Sequence, residues 1–314
     1  MNTLSFTSAS VFPVKLLNPK IIESVCGHHI QPTHVQLNPT NKCNLKCSFC
    51  SCSGKDDTEM TLEQVYNILE RLHKLGVKAV TISGGGDPLC HPNINEIIKK
   101  CSELSIEVGL VTNAVLLSKL EEDLKIKWCR ISLSGENLIS NNTKNKIKRM
   151  PQVDWAFSYV IIPNNYSNVV EAVNLANELN LTHMRIVDDI LDPSISYLDD
   201  IKKLLRGNSL DDSKVIYQGR KEYTAGTKSC LISLIKPSID AHGLVYPCCG
   251  VQYALPEPSR DYSSLFCMGD NYEDIWEKQK FFDGSICEKC YYESYNNLLN
   301  SMWHLGDIQH ANFV

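Results

Sequence analysis

From His34 to Asp189, short runs rich in apolar and β-branched residues alternate with longer stretches whose apolar residues recur every three or four positions. The short runs His34–Leu37, Ala79–Ser83, Glu107–Thr112, Trp128–Leu133, Trp155–Ile162 and Met184–Val187 predict strands. The longer stretches Leu62–Leu75, Ile94–Leu104, Leu116–Leu124, Thr143–Met150 and Asn168–Asn180 predict helices. In the second of these, Ile94, Ile97, Ile98 and Cys101 fall on one face. Thr61, three residues before Gln64, offers a capping box to the first helix. Six strand–helix units in succession predict an α/β fold with a parallel sheet, helices outside it and ligands at the carboxyl ends of the strands.

Beyond Asp189 the pattern changes. Asp192-Pro193 marks a turn, Tyr197–Leu205 predicts a further helix, and the remainder is rich in cysteine, aromatic residues, Gly and Pro. The chain therefore divides into residues 1–33, a strap containing Pro13, Pro19 and Pro32; residues 34–206, the core; and residues 207–314, a cysteine-rich unit. At 314 residues and 43% hydrophobic composition it can bury one large core plus an appendage. A net charge of −5 gives no electrostatic reason to expect a nucleic-acid partner. No apolar run reaches spanning length and Met1–Pro19 is not a secretory leader. Fourteen cysteines then read as metal ligands in a reducing, cytoplasmic compartment and not as a disulfide framework.

Cys43, Cys47 and Cys50 are spaced C-x3-C-x2-C in the loop after the first strand, with Phe49 before the last cysteine. One tight loop can bring three thiolates to one iron–sulfur cluster and leave an iron open, since a cubane normally takes four cysteines. The alternative is a structural zinc site or a chance group of thiols. This loop resembles the signature of the radical S-adenosylmethionine (SAM) enzymes. The resemblance implies a partial (β/α)6 barrel and a [4Fe–4S] cluster whose unique iron chelates SAM. It also implies reductive cleavage of SAM to a 5′-deoxyadenosyl radical that abstracts a hydrogen atom from substrate, with a one-electron reductant such as flavodoxin or ferredoxin.

Gly84, Gly85, Gly86 and Asp87, followed by Pro88, come after the second strand. Glycines permit positive φ and close approach of backbone to a ligand. In the resembled family this motif, usually ending in Glu-Pro, receives the amino group of SAM; here an aspartate replaces the glutamate. Asn113, Ser132 and Ser134 at the ends of the third and fourth strands suit the ribose and the methionine carboxylate, although Asn and Ser also cap strands and turns. A cation for that carboxylate comes from Lys144, Lys146, Arg149 or Arg185, among which the sequence does not choose.

The second cysteine set runs Cys230, Gly243-x4-Cys248, Cys249, Cys267 and Cys287-x2-Cys290. It resembles the C-terminal auxiliary-cluster domains called SPASM and twitch, small α+β units; with no cysteine after Cys290, it resembles the shorter, twitch form. That implies one auxiliary [4Fe–4S] cluster held by Cys230, Cys248, Cys287 and Cys290, with no open iron and hence an electron-transfer role. A zinc ribbon uses the same C-x2-C unit. Cys249 rivals Cys248 and Cys267 could replace another ligand. Cys26, Cys52, Cys90, Cys101 and Cys129 read as buried small hydrophobes.

Asp188, Asp189 and Tyr159, at or near strand ends, are candidate acid–base or anchoring groups, and Cys267 a candidate hydrogen donor. Three functions follow. The first is modification of a ribosomally made peptide by crosslinking or epimerisation. The second is dehydrogenation of a sugar, alcohol or nucleoside, with the auxiliary cluster taking the electron. The third is a metal-binding scaffold without turnover.

Overall fold

In the computed structural model, residues 13–52, 56–133, 138–192, 196–219, 224–255 and 263–305 are described. The first six strands are β1 (His34–Leu37), β2 (Ala79–Ile82), β3 (Glu107–Thr112), β4 (Ile126–Leu133), β5 (Asp154–Ile161) and β6 (His183–Asp188). They pair in sequence order and in parallel, as the strand–helix alternation predicts. Three more follow: β7 (Val215–Gln218), β8 (Ser238–Ile239) and β9 (Val245–Tyr246). The sheet order is β7-β6-β5-β4-β3-β2-β1-β8-β9, with only the β8–β9 pair antiparallel. The sheet thus continues past residue 207: β8 of the cysteine-rich segment lies parallel to β1, placing Ser238 opposite Gln36.

The helices are α1 (Pro19–Cys26), α2 (Leu62–Lys74), α3 (Ile94–Glu103), α4 (Asn141–Arg149), α5 (Val169–Glu178) and α6 (Leu198–Gly207), with a C-terminal helix over Glu293–Trp303. Thr61 and Gln64 form the expected capping box, so two orphan N–H groups at the start of α2 are satisfied reciprocally. Val65, Ile68, Leu69 and Leu72 of α2, and Ile94, Ile97, Ile98 and Cys101 of α3, face the sheet and are buried. Along β4 and β5 the residues that meet these helices alternate with an inner set. Cys129, Ile131 and Leu133 are buried on the helix side, and Trp128, Arg130 and Ser132 are half-buried on the other.

One predicted helix is absent. Leu116–Leu124 contains only a single 3-10 turn, Leu117–Lys119. Its backbone is bonded sideways to α3: Asn95 donates to the Lys119 carbonyl at 2.9 Å and accepts from the Glu121 N–H at 3.3 Å. These bonds satisfy backbone groups that an α-helix would pair internally. The apolar spacing still serves burial, since Leu117, Leu120 and Leu124 are all in the core.

The segment read as a strap carries α1, started by Asn18, whose side chain accepts from the Lys20 N–H, and by Pro19 in the first turn. α1 packs on the C-terminal helix, and Cys26 Sγ lies 3.5 Å from the Met302 carbonyl. Among the described residues no helix is long and apolar enough to cross a membrane.

Replacing Thr61 by Ala removes the side-chain half of the capping box, and the expected loss is about 1 kcal/mol, read as a lowered urea midpoint with an unchanged slope. An unaltered midpoint would show that α2 is held by its packing alone.

Candidate active site

The ends of β1, β2 and β3 are tied into one structure by the glycine motif. Gly86 donates its N–H to the Thr40 carbonyl at 3.0 Å, and Asp87 donates its own to the Lys42 carbonyl at 2.9 Å. A Cβ on Gly86 would sit 1.9 Å from the Lys42 oxygen, and one on Gly84 would sit 2.3 Å from the Gly86 oxygen. None of the three glycines adopts positive φ. Close approach of two backbones, not left-handed conformation, is what excludes a side chain here.

Asp87 faces away from the open strand ends. Its buried carboxylate accepts from Thr112 Oγ1 at 2.9 Å, the Asn113 N–H at 2.6 Å and the Leu89 N–H at 2.9 Å. Desolvation raises its pKa, and those donors oppose the shift. The shorter side chain therefore binds the start of the next loop and fixes the Asn113 backbone. The Asn113 amide in turn donates to Asn44 Oδ1 at 2.7 Å and lies 3.9 Å from Cys43 Sγ. Asn44 is a contact that sequence reading did not single out.

Cys43, Cys47 and Cys50 share this end. The Cys50 N–H closes a turn on the Cys47 carbonyl at 3.2 Å, and Phe49 is half-buried beside it. Burial raises the pKa of Cys43, with Asp87 and Cys50 adding to it, and raises that of Cys47, with Cys50 and Cys43 adding. Mutual influence of this kind marks three thiols in one neighbourhood. Burial and the neighbouring thiols disfavour the thiolate forms of Cys43 and Cys47, a balance that the charge of a bound iron would reverse. The donor set and the glycine cradle beside it fit a cluster with a chelated amino acid.

The other sequence candidates separate by sheet face. Ser132 lies on the inner face with Arg130, and Ser134 lies outside the described residues. Arg185 is on the inner face of β6, where its Nη2 donates to Ser158 Oγ at 3.2 Å. Lys144, Lys146 and Arg149 sit on α4 and pair with Glu178 or Glu122 on the outside. Of the four candidate cations, only Arg185 is positioned inside.

Tyr159 faces the helix side, fully buried, and its hydroxyl donates to the Asn165 carbonyl at 2.8 Å. Asp188 has the same parity as Met184 and Ile186, opposite to Arg185, and accepts from Ser196 Oγ at 3.0 Å. Asp189 accepts from the Leu191 N–H at 2.9 Å in a local turn. The alternation of Trp155, Phe157, Tyr159 and Ile161, all buried, was the signal that placed Tyr159 among the core side chains.

The second cysteine set forms its own centre. Cys230 is buried and its pKa is pushed up to about 12, by burial first and then by Cys290 and Cys287. Burial also raises Cys248 well above its usual value, with Cys249, Cys230 and Cys287 adding. Backbone bonds set the spacing: Gly226 N–H to the Cys287 carbonyl at 2.8 Å, Cys290 N–H to the Thr224 carbonyl at 2.7 Å, and Cys230 N–H to the Phe282 carbonyl at 3.1 Å. A Cβ on Gly226 would lie 2.2 Å from the Gly284 oxygen. The sulfurs receive N–H donors, Gly250 to Cys248 at 3.3 Å and Asn296 to Cys230 at 3.5 Å. Such donors tune cluster ligands, and this four-thiol set fits a closed cluster.

Cys249 points elsewhere, 3.4 Å from the Tyr292 hydroxyl and near Arg130. Cys267 packs, with Cys248 and Cys287, against the cluster of Tyr246, Val251, Ala254 and Phe266. Tyr246 pairs with Ser238, which pairs with Gln36, so Tyr246 shares the inner face of the sheet. Cys101 and Cys129 are buried as expected, whereas Cys26, Cys52 and Cys90 are half-buried. Cys52 and Ser51 both donate to Gln252 Oε1 at 2.8 Å, which joins the first cysteine loop to the second unit.

The family model described as the radical SAM superfamily matches residues 37–191. This chain carries a radical SAM domain. That domain implies a [4Fe–4S] cluster and SAM as cofactors. A protein named probable GTP 3′,8-cyclase from Methanocaldococcus jannaschii is 30% identical over 185 residues, 57% of this chain and 56% of the relative. An S-adenosylmethionine-dependent nucleotide dehydratase from Flammeovirga pacifica is 28% identical over 50% of this chain and 59% of the relative. The chain thus spans little more than half the length of these curated relatives. Streptococcus suis SuiB, solved with its precursor peptide SuiA, shares the fold at a TM-score of 0.58 and 16% identity, over 92% of this chain and 78% of SuiB.

Gly86→Ala forces the glycine motif away from Lys42, and the expected cost is about 1–3 kcal/mol together with reduced iron retention after anaerobic reconstitution. Unfolding midpoint and iron content read it; wild-type values for both would show that the two loops are not mutually dependent.

Proposed function

We propose that this chain is a radical SAM oxidoreductase with one auxiliary [4Fe–4S] cluster. The observation that carries the reading is the gathering of Cys230, Cys248, Cys287 and Cys290 into a second thiol centre behind a radical SAM domain. A zinc ribbon would use the same C-x2-C unit; the radical SAM domain ahead of these cysteines is what favours the cluster.

When bound, the cofactors supply one-electron cleavage of SAM and hydrogen-atom abstraction from substrate. The protein's part is positional. Cys43, Cys47 and Cys50 would hold the first cluster, the Gly84–Gly86 backbone would receive the amino group, and Arg185, Ser132 and Asn113 would serve the carboxylate and ribose. Asp87 keeps Asn113 in place from below. A flavodoxin or ferredoxin would deliver the electron.

A four-cysteine auxiliary cluster has no open iron and suits uptake of the electron left when a substrate radical loses a proton. Dehydrogenation or crosslinking uses that electron sink, whereas epimerisation would instead need a hydrogen donor such as Cys267. Between the two substrate classes, the inner-face cations favour a small anionic molecule over a ribosomal peptide. Two relatives whose names specify nucleotides point the same way.

The triple variant Cys43→Ala, Cys47→Ala, Cys50→Ala, reconstituted without oxygen, is expected to keep about four irons and four sulfides per chain while forming no 5′-deoxyadenosine. About one zinc and no sulfide would make the second centre structural. Continued 5′-deoxyadenosine formation would sink the radical SAM reading itself.

A further inference from the structure

We propose that Arg130 forms, on the inner face of the sheet, the floor of a seat for an anionic group of the substrate, a carboxylate or a phosphate. This rests on the reading of the strand ends as the SAM site, and it names what lies beneath them.

Arg130 stands on β4 between Trp128 and Ser132, on the face opposite the buried Cys129, Ile131 and Leu133. Two residues of strand span about 6–7 Å, so its Cα lies one layer below that of Ser132 and the strand ends where the cysteine and glycine loops meet. Part of the side chain is accessible, yet Nε is sealed from solvent and has no hydrogen-bond partner among the described residues. The Trp128 ring, with its centroid 5.6 Å from the guanidinium carbon, covers a face of the cation but supplies no acceptor for that N–H.

The groups that weigh most on its charge are Arg185, Tyr291, Cys249 and Cys129, and none is a carboxylate. Burial first, and then the neighbouring Arg185, lowers its pKa to about 9. It is still a cation at neutral pH. A buried cation beside a second cation is costly to keep unless an anion comes to it. A guanidinium presents a planar fork that matches carboxylate or phosphate oxygens, so an incoming anion would satisfy the orphan N–H and relieve the repulsion together.

The wall opposite comes from the cysteine-rich unit. Gln218, on the inner face of β7, donates to the Tyr291 hydroxyl at 2.9 Å, and Tyr291 directly follows Cys290. A substrate anchored on Arg130 would therefore lie between the strand ends and the second thiol centre, where a hydrogen atom can leave toward one and an electron toward the other.

The test uses the anaerobically reconstituted full chain, with inorganic pyrophosphate and succinate as probes and calorimetry as the readout. Wild type is expected to bind at least one of them; pyrophosphate alone identifies a phosphate, and succinate alone a carboxylate. Arg130→Met should weaken that binding by about tenfold or more, and by more than it alters SAM affinity, as expected for loss of a charge-assisted fork. Arg130→Lys, which keeps the cation and loses the fork, should fall between, and it carries the test if the Met variant does not fold. Equal binding in wild type and variants, or no binding of either probe to wild type, overturns the seat. A loss confined to SAM also overturns it, since the guanidinium would then serve the cofactor. Uncoupled 5′-deoxyadenosine formation by wild type is measured alongside; its failure counts against the radical SAM reading and leaves the anion result intact.

Discussion

The close contact between Gly86 and the Lys42 carbonyl is the constraint from which the site is built. It brings the loop after β2 against the loop after β1, and the amides of Gly86 and Asp87 fasten the two. The Asp87 side chain then continues the connection to Thr112 and Asn113 at the end of β3. Three successive strand ends are thus fixed by one dipeptide. Burying a carboxylate is expensive, and four donor contacts from three residues offset that cost. An aspartate suits this task better than a longer side chain, because its carboxylate must turn back under its own loop and not project outward.

The cysteine-rich unit is positioned by the same sheet. β8 pairs with β1, the strand that leads into the first cysteine loop, so the two thiol centres share a backbone ladder. Cys230 precedes β8 and Cys248 follows β9, so the hairpin helps set the distance between these two thiols. Gln252, accepting from Ser51 and Cys52, adds a side-chain link between the loops. On the proposed reading, a substrate held between two redox centres would require such a fixed separation, because both hydrogen abstraction and electron transfer depend steeply on distance.

Much of this was legible because parallel strands buried on the helix side announce themselves as apolar runs, and turn chemistry brackets them. The six core strands lie within a few residues of their predicted positions, and the capping box at Thr61 follows from its spacing. The helix expected at Leu116–Leu124 failed for a reason outside the segment: Asn95, distant in sequence, takes over its backbone bonds. Asp188 and Tyr159 attracted attention as polar groups near strand ends, but their parity along the strand turns them to the helices. Counting alternation from the buried residues of each strand would have separated them from Arg185.

Arg130 shows the same lesson in reverse. In the run Trp128-Cys129-Arg130-Ile131-Ser132-Leu133 the charged residue looks like an interruption of a core strand. Once the strand is split into its two faces, Cys129, Ile131 and Leu133 complete the hydrophobic layer, while Trp128, Arg130 and Ser132 line the other side. A sheet interior meant only for packing would carry apolar residues on both faces. Here the inner face holds His34, Thr81, Arg130, Ser158, His183, Arg185 and Gln218, a largely polar lining. His34 bonds Thr81 at 2.7 Å and burial holds it well below its usual pKa, while burial holds His183 at about 4, so both are neutral at pH 7. The permanent charge of that lining is concentrated on the two arginines, Arg185 level with Ser132 and Arg130 one layer beneath. On the readings proposed above, the two cations would take separate tasks: Arg185 would meet the cofactor's carboxylate, and Arg130 a group that the cofactor does not bring.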